Sequence, residues 1–262
     1  MAKIIAVTNQ KGGVGKTTTS VNLSACLAAT RRRVLLIDLD PQGNATMGSG
    51  VDKNQLTATG CEVLLGERDI TDVLIPSVAA GYALVPSNGD LTAAEVELMT
   101  HAESEQRLRL ALAPVLDRYD YIIIDCPPAL NMLTLNALVA AQGVLIPMQC
   151  EYYALEGLTA LLDTIEKIRT TLNFDLRIEG LLRTMYDPRN NLATDVSAQL
   201  IEHFGDQVFN TIIPRNIRLA EAPSHGLPAI MYDKTSQGAR AYLALAGEML
   251  RRDVREQAPT AV

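Results

Sequence analysis

Residues 3–20, Lys-Ile-Ile-Ala-Val-Thr-Asn-Gln-Lys-Gly-Gly-Val-Gly-Lys-Thr-Thr-Thr-Ser, limit what this chain can fold into more than any other stretch. The apolar run 4–7 has strand character and feeds a glycine-rich turn. The turn ends in Gly15-Lys16-Thr17 and opens a helical pattern over 17–30. A strand, a glycine turn and a helix start in that order make a cradle for phosphate. Glycines let backbone N–H groups converge on an anion, and the helix N-terminus adds partial positive charge. Lys16 supplies a cation and Thr17 a hydroxyl that can ligate a metal.

Other apolar runs end in acids. The run 34–37 is followed by Asp38-Leu39-Asp40-Pro41. Four consecutive apolar residues suit a strand buried on both faces, as in a parallel sheet. Its acids then fall at the carboxyl edge, where ligands of open α/β sheets bind. Asp40-Pro41 could simply begin a turn that Asp38 caps. Two carboxylates beside a phosphate loop are costly, however, unless they serve a magnesium ion or a water molecule. The run 121–124 ends in Asp125 in the same way and places a third carboxylate near the metal.

Further strands are expected at 82–86, 144–148, 178–184 and 208–213. Helices are expected at 60–74, 91–99, 105–116, from about 157 to 172, after a turn-rich loop at 186–191 as far as 204, and at 235–252. Apolar strands alternating with helices predict an α/β fold: a single doubly wound, mostly parallel sheet with helices on both faces. With no linker in sight, 1–255 is expected to be one domain and 256–262 a loose tail.

The formal charge of −7 argues against a surface coated for nucleic acid, so any DNA contact must be local. Between Arg177 and Arg218 five basic residues (177, 183, 189, 215, 218) face five acidic ones (179, 187, 195, 202, 206). Arg31, Arg32 and Arg33 follow a helix end, where cations complement its dipole. Cys26, Cys61, Cys126 and Cys150 form no CxxC pair and no metal-ligand spacing, and are expected as buried thiols in a reducing cytoplasm. No signal peptide is expected, and no apolar run approaches the ~20 residues that span a bilayer. His101, His203 and His225 are expected on loops or the surface, because phosphoryl transfer needs no histidine base.

The loop departs from the general phosphate-loop pattern, since Gln10 stands where the first glycine belongs, and it carries an added lysine, Lys11. This Lys-Gly-Gly-Val-Gly-Lys-Thr-Thr variant resembles the deviant Walker A motif of the ParA/MinD superfamily of P-loop ATPases. The stretches at 40–46, 149–157 and 214–226 are similar to the chromosomal Soj branch, and the resemblance covers nearly the whole chain. Asp38–Asp40 resembles the second family motif, and 121–125 resembles Walker B.

The resemblance implies a chromosome-partitioning ATPase using ATP and Mg2+. Lys11, Gly12, Gly13, Val14, Gly15, Lys16, Thr17 and Thr18 would bind nucleotide, with Met185, Pro214 and Asn216 around the adenine. Lys11, Lys16 and Asp40 would be catalytic: Lys16 on the β- and γ-phosphates, Lys11 reaching the nucleotide of a second copy, Asp40 positioning water. Thr17, Asp38 and Asp125 would serve the metal. The implied ATP-sandwich homodimer binds double-stranded DNA without sequence preference through Arg189, Arg218 and Lys234. It leaves the nucleoid when the centromere-binding protein ParB stimulates slow hydrolysis. A ParA-like ATPase positioning a plasmid or a protein cluster would share this machinery. A MinD-like membrane-cycling ATPase would need an apolar C-terminal helix face, and 250–262 offers only Leu250, Val254 and Val262 with Pro259 among them. No room for an N-terminal helix-turn-helix is expected.

Overall fold

Alternation along each strand sends successive side chains to opposite faces, and here both faces are covered. The computed structural model describes residues 1–100, 103–152 and 154–257. Six strands form one sheet: β1 (Lys3–Val7), β2 (Val34–Asp38), β3 (Ala83–Val85), β4 (Tyr121–Asp125), β5 (Gly143–Gln149) and β6 (Arg177–Thr184). Their order is β3-β2-β4-β1-β5-β6, and every neighbouring pair is parallel. The helices are α1 (Lys16–Ala29), α2 (Asn44–Gly48), α3 (Gly60–Leu65), α4 (Ile70–Val73), α5 (Leu91–Leu98), α6 (Arg107–Leu112), α7 (Met132–Ala140), α8 (Ala154–Thr171), α9 (Asn191–Phe204), α10 (Ile217–Glu221), α11 (Ala229–Tyr232) and α12 (Gln237–Gln257).

Ile4, Ala6, Ile122, Ile124 and Ile146 pack on one face with α3 and α5 to α9. Ile5, Val7, Ile123 and Leu145 pack on the other with α1 and with Tyr242, Leu245 and Met249 of α12. Burial on both faces explains why the strands read as unbroken apolar runs. The doubly wound sheet expected from the sequence is therefore present, and β1 lies inside it with its phosphate-loop candidate at the carboxyl edge.

Three expected elements differ. The helix expected over 60–74 breaks at Gly66, whose φ is +78°, into α3 and α4. The helix expected over 105–116 is α6 flanked by 3-10 turns at Ser104–Gln106 and Ala113–Arg118, with Pro114 in the second. The segment 208–213 is no strand: it meets β6 through a single bridge, Leu181 to Val208. The Phe209 and Ile213 N–H groups reach the Leu181 and Arg183 carbonyls of β6 at 3.0 and 2.9 Å, but between them side chains claim the backbone. Glu248 accepts the N–H groups of Asn210 and Thr211, each at 2.8 Å, and Arg183 donates to the Phe209 carbonyl at 2.8 Å. The last helix runs on to Gln257, into the expected tail; 258–262 and His101 lie outside the described residues.

At the amino edge of the sheet, Lys3 Nζ bonds Glu179 Oε1 at 2.7 Å and Asp253 Oδ1 at 2.5 Å, and the Tyr121 hydroxyl donates to Asp253. This network ties β1, β4 and β6 to α12. Burial pulls the Lys3 ammonium down, but the two carboxylates more than offset it, and its pKa is raised.

Candidate nucleotide site

Strand β1 delivers residues 8–15 to the carboxyl edge, where α1 begins. Gly13 and Gly15 have φ of +73° and +91°, conformations that side chains with a Cβ resist. Gly12 and Gly13 are exposed, and a Cβ at either would meet nothing within 4 Å. The turn is pinned from outside. Asn9 Nδ2 donates to the Pro147 carbonyl at 2.8 Å, the Lys11 N–H donates to Asn9 Oδ1 at 3.0 Å, and the Thr184 hydroxyl donates to the Val14 carbonyl at 2.7 Å. The first N–H groups of α1 point to this concavity, as an anion requires. Lys16 is buried and its Nζ donates to the Lys11 carbonyl at 3.2 Å; burial lowers its pKa. Lys11 is half-exposed and forms an ion pair with Glu151.

Asp38 and Asp125 are fully buried and stand in register on adjacent strands. Desolvation raises both pKa values. Hydrogen bonds from Thr46 partly counter this at Asp38, and the charge of Asp38 adds to it at Asp125. Asp38 Oδ2 accepts the Thr46 N–H and hydroxyl, both at 2.8 Å. Asp125 Oδ1 accepts the Ser20 hydroxyl at 2.8 Å, and the nearby Thr17 and Ser20 hydroxyls favour the charged carboxylate without offsetting its burial. Asp125 Oδ2 has no hydrogen-bond partner among the described residues. Such a buried orphan acceptor is costly unless a cation or a bound water meets it. With the Thr17 hydroxyl alongside, the donor set is all oxygen and suits Mg2+. No group of three or more His, Cys, Asp or Glu among the described residues could hold a metal, so the remaining ligands must come from water or phosphate. Asp40 is 8% exposed; its N–H donates to Asp38 Oδ1 at 3.1 Å, and its Oδ1 accepts from Gln42 at 2.9 Å.

Beside the turn lies a cavity of about 200 Å³. Thr18, Met185, Pro214 and Asn216, all expected near nucleotide, line it, together with Thr184 and Tyr242. Met185 has φ +49°, an uncommon conformation for a non-glycine residue, and such strain concentrates at functional sites. The bridge from Tyr186 to Pro214 holds the loop that leads to Arg189 beside the segment that leads into α10, which carries Arg218. Both arginines are engaged locally: Arg189 with Asp187 at 2.7 Å, and Arg218 with Glu221 at 2.7 Å and Asp233 at 3.5 Å. Lys234 is exposed next to Asp233.

Sequence reasoning missed Ser20, Thr46 and Thr184. Ser20 lies one helical turn after Lys16, so its spacing was a usable signal. Thr46 and Thr184 become neighbours of the site only through packing.

A family model described as an AAA domain matches residues 2–178. The sporulation initiation inhibitor protein Soj of Bacillus subtilis is 53% identical over 95% of this chain and 98% of its own length. The chromosome partitioning protein ParA of Caulobacter vibrioides is 47% identical over 99% of this chain and 98% of its own. Among solved structures, a Mycobacterium smegmatis protein described as cobyrinic acid a,c-diamide synthase with bound ADP and magnesium superposes with a TM-score of 0.86. It is 38% identical and covers 100% of each chain.

Proposed function

The chain belongs to the ParA/Soj family of chromosome-partitioning P-loop ATPases, and we propose that it is a nucleotide-gated clamp on DNA. One observation carries the reading: an in-register pair of buried carboxylates, one with an orphan oxygen, beside a glycine cradle and a buried lysine. That combination is expensive to fold and fits a magnesium–triphosphate, whose charges it complements.

Phosphoryl transfer demands positioning and charge. The loop N–H groups and Lys16 grip the β- and γ-phosphates, while Met185, Pro214 and Asn216 enclose the adenine. Thr17, Asp38 and Asp125, partly through coordinated water, would hold Mg2+, whose charge would offset that of the phosphates. Asp40 orients the attacking water from the end of β2. Lys11 is lent to the nucleotide of a second copy, so that two subunits enclose two ATP molecules.

In the dimer, Arg189, Arg218 and Lys234 from both subunits contact DNA phosphates. Phosphate competes with Asp187, Glu221 and Asp233 for these cations. Doubling the contacts makes binding depend on dimerisation and fall steeply with salt. ParB-stimulated hydrolysis opens the dimer and releases it from the nucleoid. Among the described residues no helix is long and apolar enough to cross a membrane.

Asp40→Ala tests the reading. With ATP and Mg2+ it should accumulate as a DNA-bound dimer, seen by sedimentation and gel shift. A variant that stays monomeric with ATP would make Asp40 structural.

A further inference from the structure

Lys11 and Glu151 are 140 positions apart, yet Lys11 Nζ lies 2.5 Å from Glu151 Oε2. Lys11 follows β1, and Glu151 follows β5, the strand paired with it. Each backbone is fixed on its own account. The Lys11 N–H is held by Asn9, itself tied to Pro147. The Glu151 N–H donates to the Gln149 carbonyl at 3.0 Å, and the Glu151 carbonyl accepts the Ala154 N–H at 2.9 Å. Only the flexible lysine stem can choose between anions. The two side chains are 42% and 51% exposed, so the pair is well solvated and readily exchanged. Lys16, in contrast, is buried and bonded within its own loop.

Resting on the reading of Lys11 as the lysine lent to a partner's nucleotide, we propose that Glu151 is an autoinhibitory counter-ion. It keeps Lys11 within its own subunit until a partner's triphosphate displaces it. The triphosphate offers charge-assisted bonds in a site that the second subunit closes from water, where screening is weaker. Each exposed pair holds its lysine by a factor of up to about five, and two must open per dimer. Glu151 therefore sets how much protein is needed before ATP assembles the dimer, without touching nucleotide in the monomer.

The test is Glu151→Gln, which keeps size and removes charge. With a non-hydrolysable ATP analogue and Mg2+, half-dimerisation by sedimentation should move to about three- to tenfold lower protein concentration. Nucleotide affinity of the monomer should be unchanged. Without nucleotide, the Lys11 amine should be acylated faster than in the parent, read by mass spectrometry. An unchanged or higher half-dimerisation concentration overturns the proposal. So does faster acylation without a shift in assembly, since the pair would then exist without governing it. Lys11→Ala reports on the underlying reading separately. If it dimerises normally, Lys11 is not lent in trans. If it fails to dimerise while Glu151→Gln changes nothing, only the counter-ion role falls.

Discussion

At the amino edge of the sheet Glu179 and Asp253 share Lys3, whereas at the carboxyl edge Asp38 and Asp125 sit side by side and Asp125 Oδ2 meets no donor among the described residues. The same strands serve both edges: β1 carries Lys3 at one end and leads into the phosphate loop at the other. The amino-edge charges are paired with one another and tie down α12. The carboxyl-edge charges are poised for something that arrives. Stability is invested at one end and withheld at the other, the usual mark of a working site.

Four variants would break or sharpen that contrast. The largest effect belongs to Lys16→Ala, which should abolish nucleotide binding by calorimetry while melting within a few degrees of the parent. Retained binding would mean the loop alone grips phosphate. Arg189→Glu with Arg218→Glu reverses four charges per dimer, and it should leave ATP-dependent dimerisation intact and eliminate the DNA shift at moderate salt. Should weak binding persist at low salt, its log–log salt slope should be smaller by about four. Lys3→Ala strands Glu179 and Asp253 and should cost on the order of 3 kcal/mol in denaturant unfolding, with nucleotide affinity of the folded protein unchanged.

Asp125→Asn should do the reverse. Burial raises the Asp125 pKa in the folded state above its unfolded value. The stability linked to its proton is full at low pH and is lost as pH rises from the unfolded value through the raised one, so at neutral pH folding must hold a proton that the unfolded chain has released. The amide should gain about 1 kcal/mol there and flatten the fall of stability above the ordinary carboxylate range, while weakening Mg2+-dependent nucleotide binding. A loss of stability would show that Asp125 is held for the fold.

Much of this was legible in the sequence because burial on both faces leaves a plain record. The runs 4–7, 34–37 and 121–124 each became a strand with its acid or loop at the expected edge. The glycine turn announced itself because glycine adopts the positive φ values at positions 13 and 15 without the steric cost a Cβ brings. Segment 208–213 misled, since its apolar residues suggest a strand while Glu248 and Arg183, from distant elements, claim its backbone. Thr46 and Thr184 were invisible for the same reason: their partners are set by the chain crossings that bring Asp38 and Val14 to them. The pairing of Lys11 with Glu151 likewise depends on β1 and β5 being neighbours, which no local pattern reveals.

The most direct measurement is a crystal structure of Asp40→Ala grown with ATP and Mg2+. It should contain a two-fold dimer with each Lys11 Nζ within hydrogen-bond distance of the phosphates held by the other subunit, and Glu151 released. Nucleotide bound in a monomer, with Lys11 still on its own Glu151, would contradict the clamp.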